Sequence, residues 1–203
     1  MNRKKEAFTV WFTGLPGSGK HTLAEKLHQE LANRGIRSEI IRGREIRKII
    51  SEGLGFSLQD REKNIRRMGE VCHLLTKNGV VAIAVAIAPI REARERNRKK
   101  LGAYMEVYCQ CSMEELRKRD KYQLYSRAET GQLQHVAGVD DPYEEPLKPE
   151  VVVETDKETP EQGLKHILAT LEVLGYVPKA RVSPYSPEEE ELIRRHLKDM
   201  GYL

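Results

Sequence analysis

The sequence predicts an α/β fold in which helices cover both faces of a parallel β-sheet. Apolar runs at residues 8–12 and 80–87 carry apolar side chains on both strand faces, which is typical of strands buried inside a parallel sheet. Amphipathic segments with helical spacing separate the strand candidates, as with Leu23, Leu27 and Leu31. A chain of 203 residues is long enough to bury one core of this kind.

Strand and helix candidates alternate along the chain, which favours a parallel sheet. Strands are predicted at residues 8–13, 37–41, 80–87, 104–109 and 151–154. Helices are predicted from the end of the first turn to Gly35, then at residues 46–50, 57–77, 91–100, 112–119 and 159–174. Ser57, Ser112 and Thr159 are predicted N-caps, because a hydroxyl oxygen there can accept from the first free N–H groups. The helix at residues 91–100 is strongly basic, so its arginines are interpreted as an exposed face.

Two segments are predicted to extend or cover a main domain at residues 1–177. Residues 120–149 are polar and lack sustained apolar periodicity, which indicates a lid or binding loop. Residues 178–203 form a predicted tail with one helix, whose start carries the capping pattern of Ser186 and Glu189. The apolar stripe of that helix has two interpretations: it packs on the domain, or it contacts a partner.

Composition limits the function classes. A net charge of +4 suits an anionic small molecule and is too small to indicate nucleic-acid binding. Cys72, Cys109 and Cys111 do not make a disulfide framework and are interpreted as free thiols. The charged N-terminus has no signal-peptide pattern, and the longest apolar run, residues 80–90, is too short to cross a membrane. We therefore expect a cytoplasmic protein without a membrane partner.

A phosphate-binding loop is predicted directly after the first strand, where residues 14–20 fit the frame G-x-x-x-x-G-K. Its glycines let successive N–H groups turn toward an anion, and the following helix points its positive dipole end at the same place. Lys20 adds a charge for the outer phosphates. The next residue is normally Ser or Thr, whose hydroxyl binds Mg²⁺. Here it is His21, and Thr22 is the alternative metal ligand.

Several segments together resemble the adenylylsulfate kinase family. They are the phosphate loop, residues 54–57, 60–61, 64–67, 87–89, 119–120, 124–125 and 138–144, which follow the family's order over about residues 8–176. The resemblance implies a P-loop nucleoside-triphosphate-binding fold with helices on both sheet faces and a C-terminal helical tail. It also implies transfer of the γ-phosphate of ATP to the ribose 3′-hydroxyl of adenylyl sulfate, a step of sulfate assimilation, or a related nucleotide phosphoryl transfer.

The resemblance also implies site residues and cofactors. ATP, with Mg²⁺, is assigned to Gly14, Leu15, Pro16, Gly17, Ser18, Gly19, Lys20, His21, Thr22 and Arg119, and Lys20 is the catalytic candidate. The sulfated nucleotide is assigned to Arg47, Phe56, Arg61, Asn64 and Ile87. Phe56 would stack on adenine, whereas guanidinium groups match the oxyanions. Core packing is the alternative role for Phe56. The implied partners are adenine nucleotides, together with an ATP sulfurylase or a second copy of the chain.

The chain departs from the family where the chemistry occurs. Arg44 stands where the family has an Asp, Ala88 replaces a Ser, and Gln134 and Val136 replace a Lys and a Phe of the lid. Tyr122-Gln123 stands in place of Lys-Gly. These changes, together with His21, leave an alternative function open: a pseudo-kinase that binds an adenine nucleotide and regulates a partner. The kinase-like domain of some ATP sulfurylases is similar in this respect.

Overall fold

A computed structural model describes residues 7–179 and 185–202 of the chain. The strands are β1 (Thr9–Thr13), β2 (Ser38–Arg42), β3 (Val81–Val85), β4 (Tyr104–Gln110) and β5 (Val151–Glu154). The helices are α1 (Lys20–Asn33), α2 (Gly43–Ile49), α3 (Leu58–Lys77), α4 (Arg91–Leu101), α5 (Met113–Lys118), α6 (Leu124–Glu129), α7 (Pro160–Val173) and α8 (Pro187–Asp199). The charged N-terminal segment, residues 1–6, and the early tail, residues 180–184, lie outside the described residues.

The strands form one parallel sheet in the order β2-β3-β1-β4-β5, which confirms the predicted fold class. β1 lies at the centre, and Val10 pairs with Ile83 on one side and Met105 on the other. Alternate residues of β1 enter two apolar cores, one against α1 and α7 and the other against α3 and α4. Both faces of β1 are therefore buried, as its sequence predicts.

The predicted caps are confirmed where the chain enters its helices. Ser57 accepts a hydrogen bond from the N–H of Asp60, and Ser112 accepts one from the N–H of Glu115. Thr159 and Ser186 each form a reciprocal capping box. β3 is shorter than predicted, because the chain leaves the sheet at Ala86 and turns through Ala88. The polar segment at residues 120–149 contains the helix α6, which its weak periodicity did not predict.

The interpretation of the basic helix α4 as a fully exposed face is wrong for Arg94 and Arg98. Arg94 is 1% exposed, and its Nε lies 3.0 Å from the carboxylate of Glu106 in β4. Arg98 lies 3.1 Å from the same carboxylate and also pairs with Glu150. Burial raises the pKa of Glu106, while both arginines act to lower it. An acidic residue inside a buried strand requires cationic partners, and α4 supplies them.

Replacing Arg94 by methionine is expected to lower the free energy of unfolding by about 3–5 kcal/mol, because Glu106 then loses a buried partner. Urea denaturation of wild type and R94M measures the difference. The double variant R94M/E106Q is the control, since removal of both charges should restore much of the stability. Equal stability of R94M and wild type would show that the pair contributes nothing.

The C-terminal helix α8 packs on α7, which favours the first interpretation of the predicted tail. Leu197 is fully buried, whereas Leu192 is 65% exposed, so only part of the apolar stripe is covered. Tyr202 donates a hydrogen bond to Glu150, which joins the tail to the Arg98 network. The boundary between residues 177 and 178 stays a prediction. None of the described helices combines the length and apolar composition needed to cross a bilayer.

Candidate functional site

The predicted phosphate loop lies between the end of β1 and the start of α1, at the carboxyl edge of the sheet. Ligands of open α/β sheets bind at this edge. Gly14 has a φ of 144°, and a Cβ there would lie 2.7 Å from the Oγ of Ser18. Gly17 and Gly19 also have positive φ values, of 80° and 78°. Only glycine fits all three positions without strain, so the loop keeps the tight turn that anion binding requires.

Lys20 lies under the loop and is 6% exposed. Its Nζ donates to the carbonyl oxygens of Gly14 and Leu15, at 2.8 and 2.6 Å, and to the Oγ of Ser18 at 3.2 Å. Burial lowers the pKa of Lys20 to about 8, because three neutral acceptors do not fully replace water around the ammonium group. An anion bound in the loop would supply the missing counter-charge.

A cavity of about 400 Å³ lies on one side of the loop and brings together all five residues predicted for the sulfated nucleotide. Its lining includes Pro16 of the loop and the predicted residues Arg47, Phe56, Arg61, Asn64 and Ile87. Arg44 lines it as well, so three guanidinium groups face one space. No carboxylate belongs to this lining within the described part of the chain. The cavity therefore suits an anion with an apolar or aromatic portion.

Phe56 is 57% exposed, which excludes core packing as its role. The guanidinium of Arg47 lies 4.8 Å from the centre of its ring, and that of Arg61 lies 5.8 Å away. The Nε of Arg61 donates to the carbonyl of Phe56 at 2.9 Å. Asn64 is buried, and its Oδ1 has no hydrogen-bond partner within the described residues. The cavity therefore offers a ring face, charged donors and one free acceptor.

A second cavity of about 270 Å³ lies on the other side of the loop. Gly19, Thr22, Arg119, Thr155 and Pro160 are part of its lining. Arg119 is held by the carbonyl of Thr155 at 2.8 Å and by Glu115 at 2.9 Å. The structure thus places Thr22 beside Arg119, across the loop from Arg44.

His21 stands on α1 near a group of charged side chains. Burial lowers the pKa of His21, and the charges of Lys20 and Arg42 lower it further, which favours the neutral imidazole. The two nearby carboxylates, Glu25 and Glu45, are both paired with Arg42, at 3.5 and 3.6 Å. The positive charge of Arg42 is therefore balanced by carboxylates of the protein itself.

These residues do not make a fitting set of magnesium ligands. Mg²⁺ prefers oxygen ligands, usually one or two carboxylates together with phosphates and water. The hydroxyl of Ser18 accepts from Lys20, and that of Thr13 donates to the carbonyl of Ile87 at 2.7 Å. In the part of the chain that the structure describes, no three His, Cys, Asp or Glu side chains lie close enough together to bind a metal ion.

The predicted lid segment, residues 120–149, contacts the phosphate loop. The hydroxyl of Tyr125 donates to the carbonyl of Pro16 at 2.6 Å. Gly138 is packed so closely on Leu15 that a Cβ there would lie 2.7 Å from its Cδ2. Tyr125 and Val136 are buried in a small apolar core beneath the lid. The turn at residues 134–137 belongs to the lining of the larger cavity.

Comparison with known proteins decides the family. The model of the adenylylsulphate kinase family matches residues 6–154. The chain belongs to this family. An adenylyl-sulfate kinase of Picosynechococcus is 44% identical over 83% of this chain and 96% of its own length. A probable bifunctional SAT/APS kinase 2 of Sorangium cellulosum is 48% identical over 85% of this chain, which spans only 30% of that relative.

Solved structures of the family have the same fold. The APS kinase CysC of Mycobacterium tuberculosis, in complex with AMPPNP and APS, is 32% identical with a TM-score of 0.78. The alignment covers 82% of this chain and 98% of that one. A hexameric APS kinase from Thiobacillus denitrificans is 33% identical, with a TM-score of 0.63 over 86% of this chain and 30% of that one.

Sequence reasoning about the family pattern missed features of the larger cavity. Ala88, at the position of the family's Ser, has a φ of 47°, which is unusual for a residue other than glycine. Its carbonyl accepts from Arg94, and the carbonyl of Glu144 accepts from the same guanidinium at 2.6 Å. Arg94 therefore links the turn at Ala88 to the lid segment at Glu144 through hydrogen bonds to both carbonyl groups. The sequence feature that could have indicated a buried arginine is Glu106, an acidic residue within the apolar strand β4.

Proposed function

We propose that the chain binds ATP and adenylyl sulfate and transfers the γ-phosphate of ATP to the ribose 3′-hydroxyl of adenylyl sulfate. One observation carries this proposal: the phosphate loop separates two cavities, one beside Arg119 and the other lined by Phe56 and three arginines. A donor nucleotide in one cavity and an anionic acceptor nucleotide in the other can then both reach the phosphate loop. Family membership selects adenylyl sulfate as the acceptor.

Each predicted site residue has a role in this proposal. The amides of residues 14–19, with Lys20 and His21, surround the phosphates of ATP, while Thr22 and Arg119 contact its nucleoside portion. Phe56 stacks on the adenine of adenylyl sulfate, and Arg47 and Arg61 bind its phosphosulfate. Asn64 offers its free Oδ1 to a hydroxyl, and Ile87 closes the apolar side of the cavity.

Charge neutralisation in this site rests on side chains, since the magnesium ligands of the family pattern are missing. Lys20 lies beneath the phosphate loop, and Arg44 lines the larger cavity. Arg44 forms no hydrogen bond or ion pair within the described residues, so its charge is available to a ligand. Guanidinium groups bind phosphate oxygens through paired donors.

Phosphoryl transfer depends mainly on positioning and on the stabilisation of charge. The buried Lys20, the contacts of the lid segment with the loop and the hydrogen bonds of Arg94 all fix positions before the substrates arrive. The pseudo-kinase alternative finds no support in the comparisons, because the relatives and the solved structures reported above are named as kinases. We therefore retain the kinase as the proposed function.

The proposed function is tested by following ADP release from ATP at increasing adenylyl sulfate concentration. ADP release that saturates with adenylyl sulfate supports the proposal. The matched control is the 3′-deoxy analogue of adenylyl sulfate, which should bind without releasing ADP. Tight binding of both nucleotides without any ADP release would contradict the proposal.

The affinity for ATP is expected to fall as pH rises above about 8. Burial lowers the pKa of Lys20 to about 8, and bound phosphate would raise it. Below pH 8 the ammonium is charged with or without ATP, so affinity stays level. Above pH 8 binding requires proton uptake, and affinity should decline by up to about tenfold per pH unit.

Isothermal titration calorimetry from pH 7 to pH 9.5 measures this dependence. K20R is the control, because arginine stays charged over the whole range and should give a flat profile. An affinity of the wild type that does not change up to pH 9.5 would show that Lys20 does not lose its proton in the free protein.

The proposal extends to partners and location. The names of the bifunctional SAT/APS kinase relative and of the hexameric structure support an ATP sulfurylase or a second copy of the chain as partner. Sedimentation of the purified chain, alone and with an ATP sulfurylase, tests both. We place the reaction in the cytoplasm, and neither a membrane nor nucleic acid is part of the proposal.

A further inference from the structure

The proposed transfer needs a group that takes the proton of the attacking hydroxyl. Where the family has an Asp that is expected to orient this hydroxyl, the chain has Arg44, which cannot accept a proton. The larger cavity has no carboxylate in its lining within the described residues. Its ionisable side chains are Arg44, Arg47, Arg61 and His135. Of these four, only a histidine can accept a proton near neutral pH.

His135 is held in a defined orientation by neighbouring acidic residues. Its Nδ1 lies 3.3 Å from the Oδ1 of Asp141, and its backbone N–H donates to Asp140 at 2.5 Å. A carboxylate can only accept, so Asp141 selects the tautomer with the proton on Nδ1. Nε2 is then the unprotonated nitrogen, and it has no hydrogen-bond partner within the described part of the chain.

The same acidic residue connects His135 to the substrate-binding arginine. Asp141 lies 3.6 Å from the Nε of Arg61, and the other side of Arg61 donates to the carbonyl of His135. A change in the position of Arg61 would therefore move His135 as well. Asp140, Asp141 and Arg61 are the charged groups that face the imidazole from the turn and from α3.

The turn that carries His135 is seated on the phosphate loop. Three residues later, Gly138 packs on Leu15, and the intervening Val136 and Ala137 are buried. His135 itself has a φ of 65°, a left-handed conformation that costs free energy for most residues other than glycine. Such strain persists where the surrounding structure fixes the backbone, often at functional sites.

We propose that His135, oriented by Asp141, is the general base of the phosphoryl transfer, a step that rests on the proposed function. The 3′-hydroxyl oxygen of adenylyl sulfate forms a bond to the γ-phosphorus of ATP. The bond from that phosphorus to the β,γ-bridging oxygen breaks, and ADP leaves with its electron pair. The hydroxyl proton passes to Nε2. His135 is 49% exposed, so the imidazolium can return the proton to solvent.

The variants H135N and H135G test this role without disturbing the turn, because asparagine and glycine both tolerate the left-handed conformation. We expect kcat to fall by about 10²- to 10⁴-fold in each variant. The dissociation constants of adenylyl sulfate and ADP, measured by calorimetry, should remain close to those of the wild type. His73 on α3 lies outside the cavity lining, so H73N is the matched control and should retain full kcat.

Chemical rescue separates a catalytic role from a structural one. Added imidazole should partly restore the activity of H135G. If the wild type turns over and H135N has a similar kcat, the assignment of His135 is overturned while the proposed function stands. An inactive wild type would overturn both.

Discussion

Replacement of Lys20 by methionine is expected to lower turnover of ATP and adenylyl sulfate by about 10²- to 10³-fold. Lys20 is the one buried ammonium group beneath the described phosphate loop, and it lies within 2.8 Å of the carbonyl oxygens of Gly14 and Leu15. In the proposed function its charge lies beside the transferred phosphate. Initial-rate kinetics at saturating substrate, together with ATP affinity, measure the loss.

The loss in K20M should not come from unfolding. The buried ammonium is poorly solvated, as its lowered pKa of about 8 shows, so methionine should leave the protein at least as stable. K26M is the matched control on the same helix, because Lys26 pairs with Glu161 on the surface. Wild-type turnover in K20M would mean that the loop does not bind the transferred phosphate.

The double variant H21S/R44D is expected to raise kcat by about tenfold or more and to make turnover depend strongly on Mg²⁺. The two changes supply the hydroxyl and the carboxylate that the family pattern has and this chain lacks. If each group contributes about 2–3 kcal/mol to the barrier, even partial recovery gives a tenfold effect. Steady-state rates as a function of Mg²⁺ concentration measure both expectations.

The control for the double variant is H21S/K48D. It places the added carboxylate at the exposed Lys48 position of α2, the helix that also carries Arg44. It should gain no comparable activity. The wild type should show a weaker dependence on Mg²⁺ than H21S/R44D, because the proposed site uses Arg44 and Lys20 for charge near the phosphates. Lower activity and an unchanged metal dependence in H21S/R44D would show that His21 and Arg44 are adapted to a different arrangement.

The sequence predicted the elements whose signals are local. The glycine frame at residues 14–20 identified the phosphate loop, and the hydroxyl residues Ser57 and Thr159 marked helix starts within one residue. β5 has the predicted bounds, because its apolar run is short and bordered by polar residues. Phe56 and Arg61 were predicted from motifs outside the phosphate loop. The structure nevertheless places both in the cavity beside that loop.

The errors concern side chains whose environment depends on distant parts of the chain. Arg94 resembles any other arginine of a basic helix, and only its pairing with Glu106 on β4 explains why it is buried. His135 gave no signal, because Arg61 on α3 reaches its carbonyl and Asp141 only when the lid turn meets that helix. Gln123 has a φ of 53° where the family has glycine, a strain that no propensity argument anticipates.

Transfer of labelled phosphate tests the central claim most directly. The chain is incubated with ATP labelled at the γ-phosphorus and with adenylyl sulfate, and the products are separated by ion-exchange chromatography and identified by mass spectrometry. The proposed function predicts label on the 3′-oxygen of 3′-phosphoadenylyl sulfate, in amounts equal to the ADP formed. Label found only in ATP or inorganic phosphate, with adenylyl sulfate bound and unchanged, would contradict it.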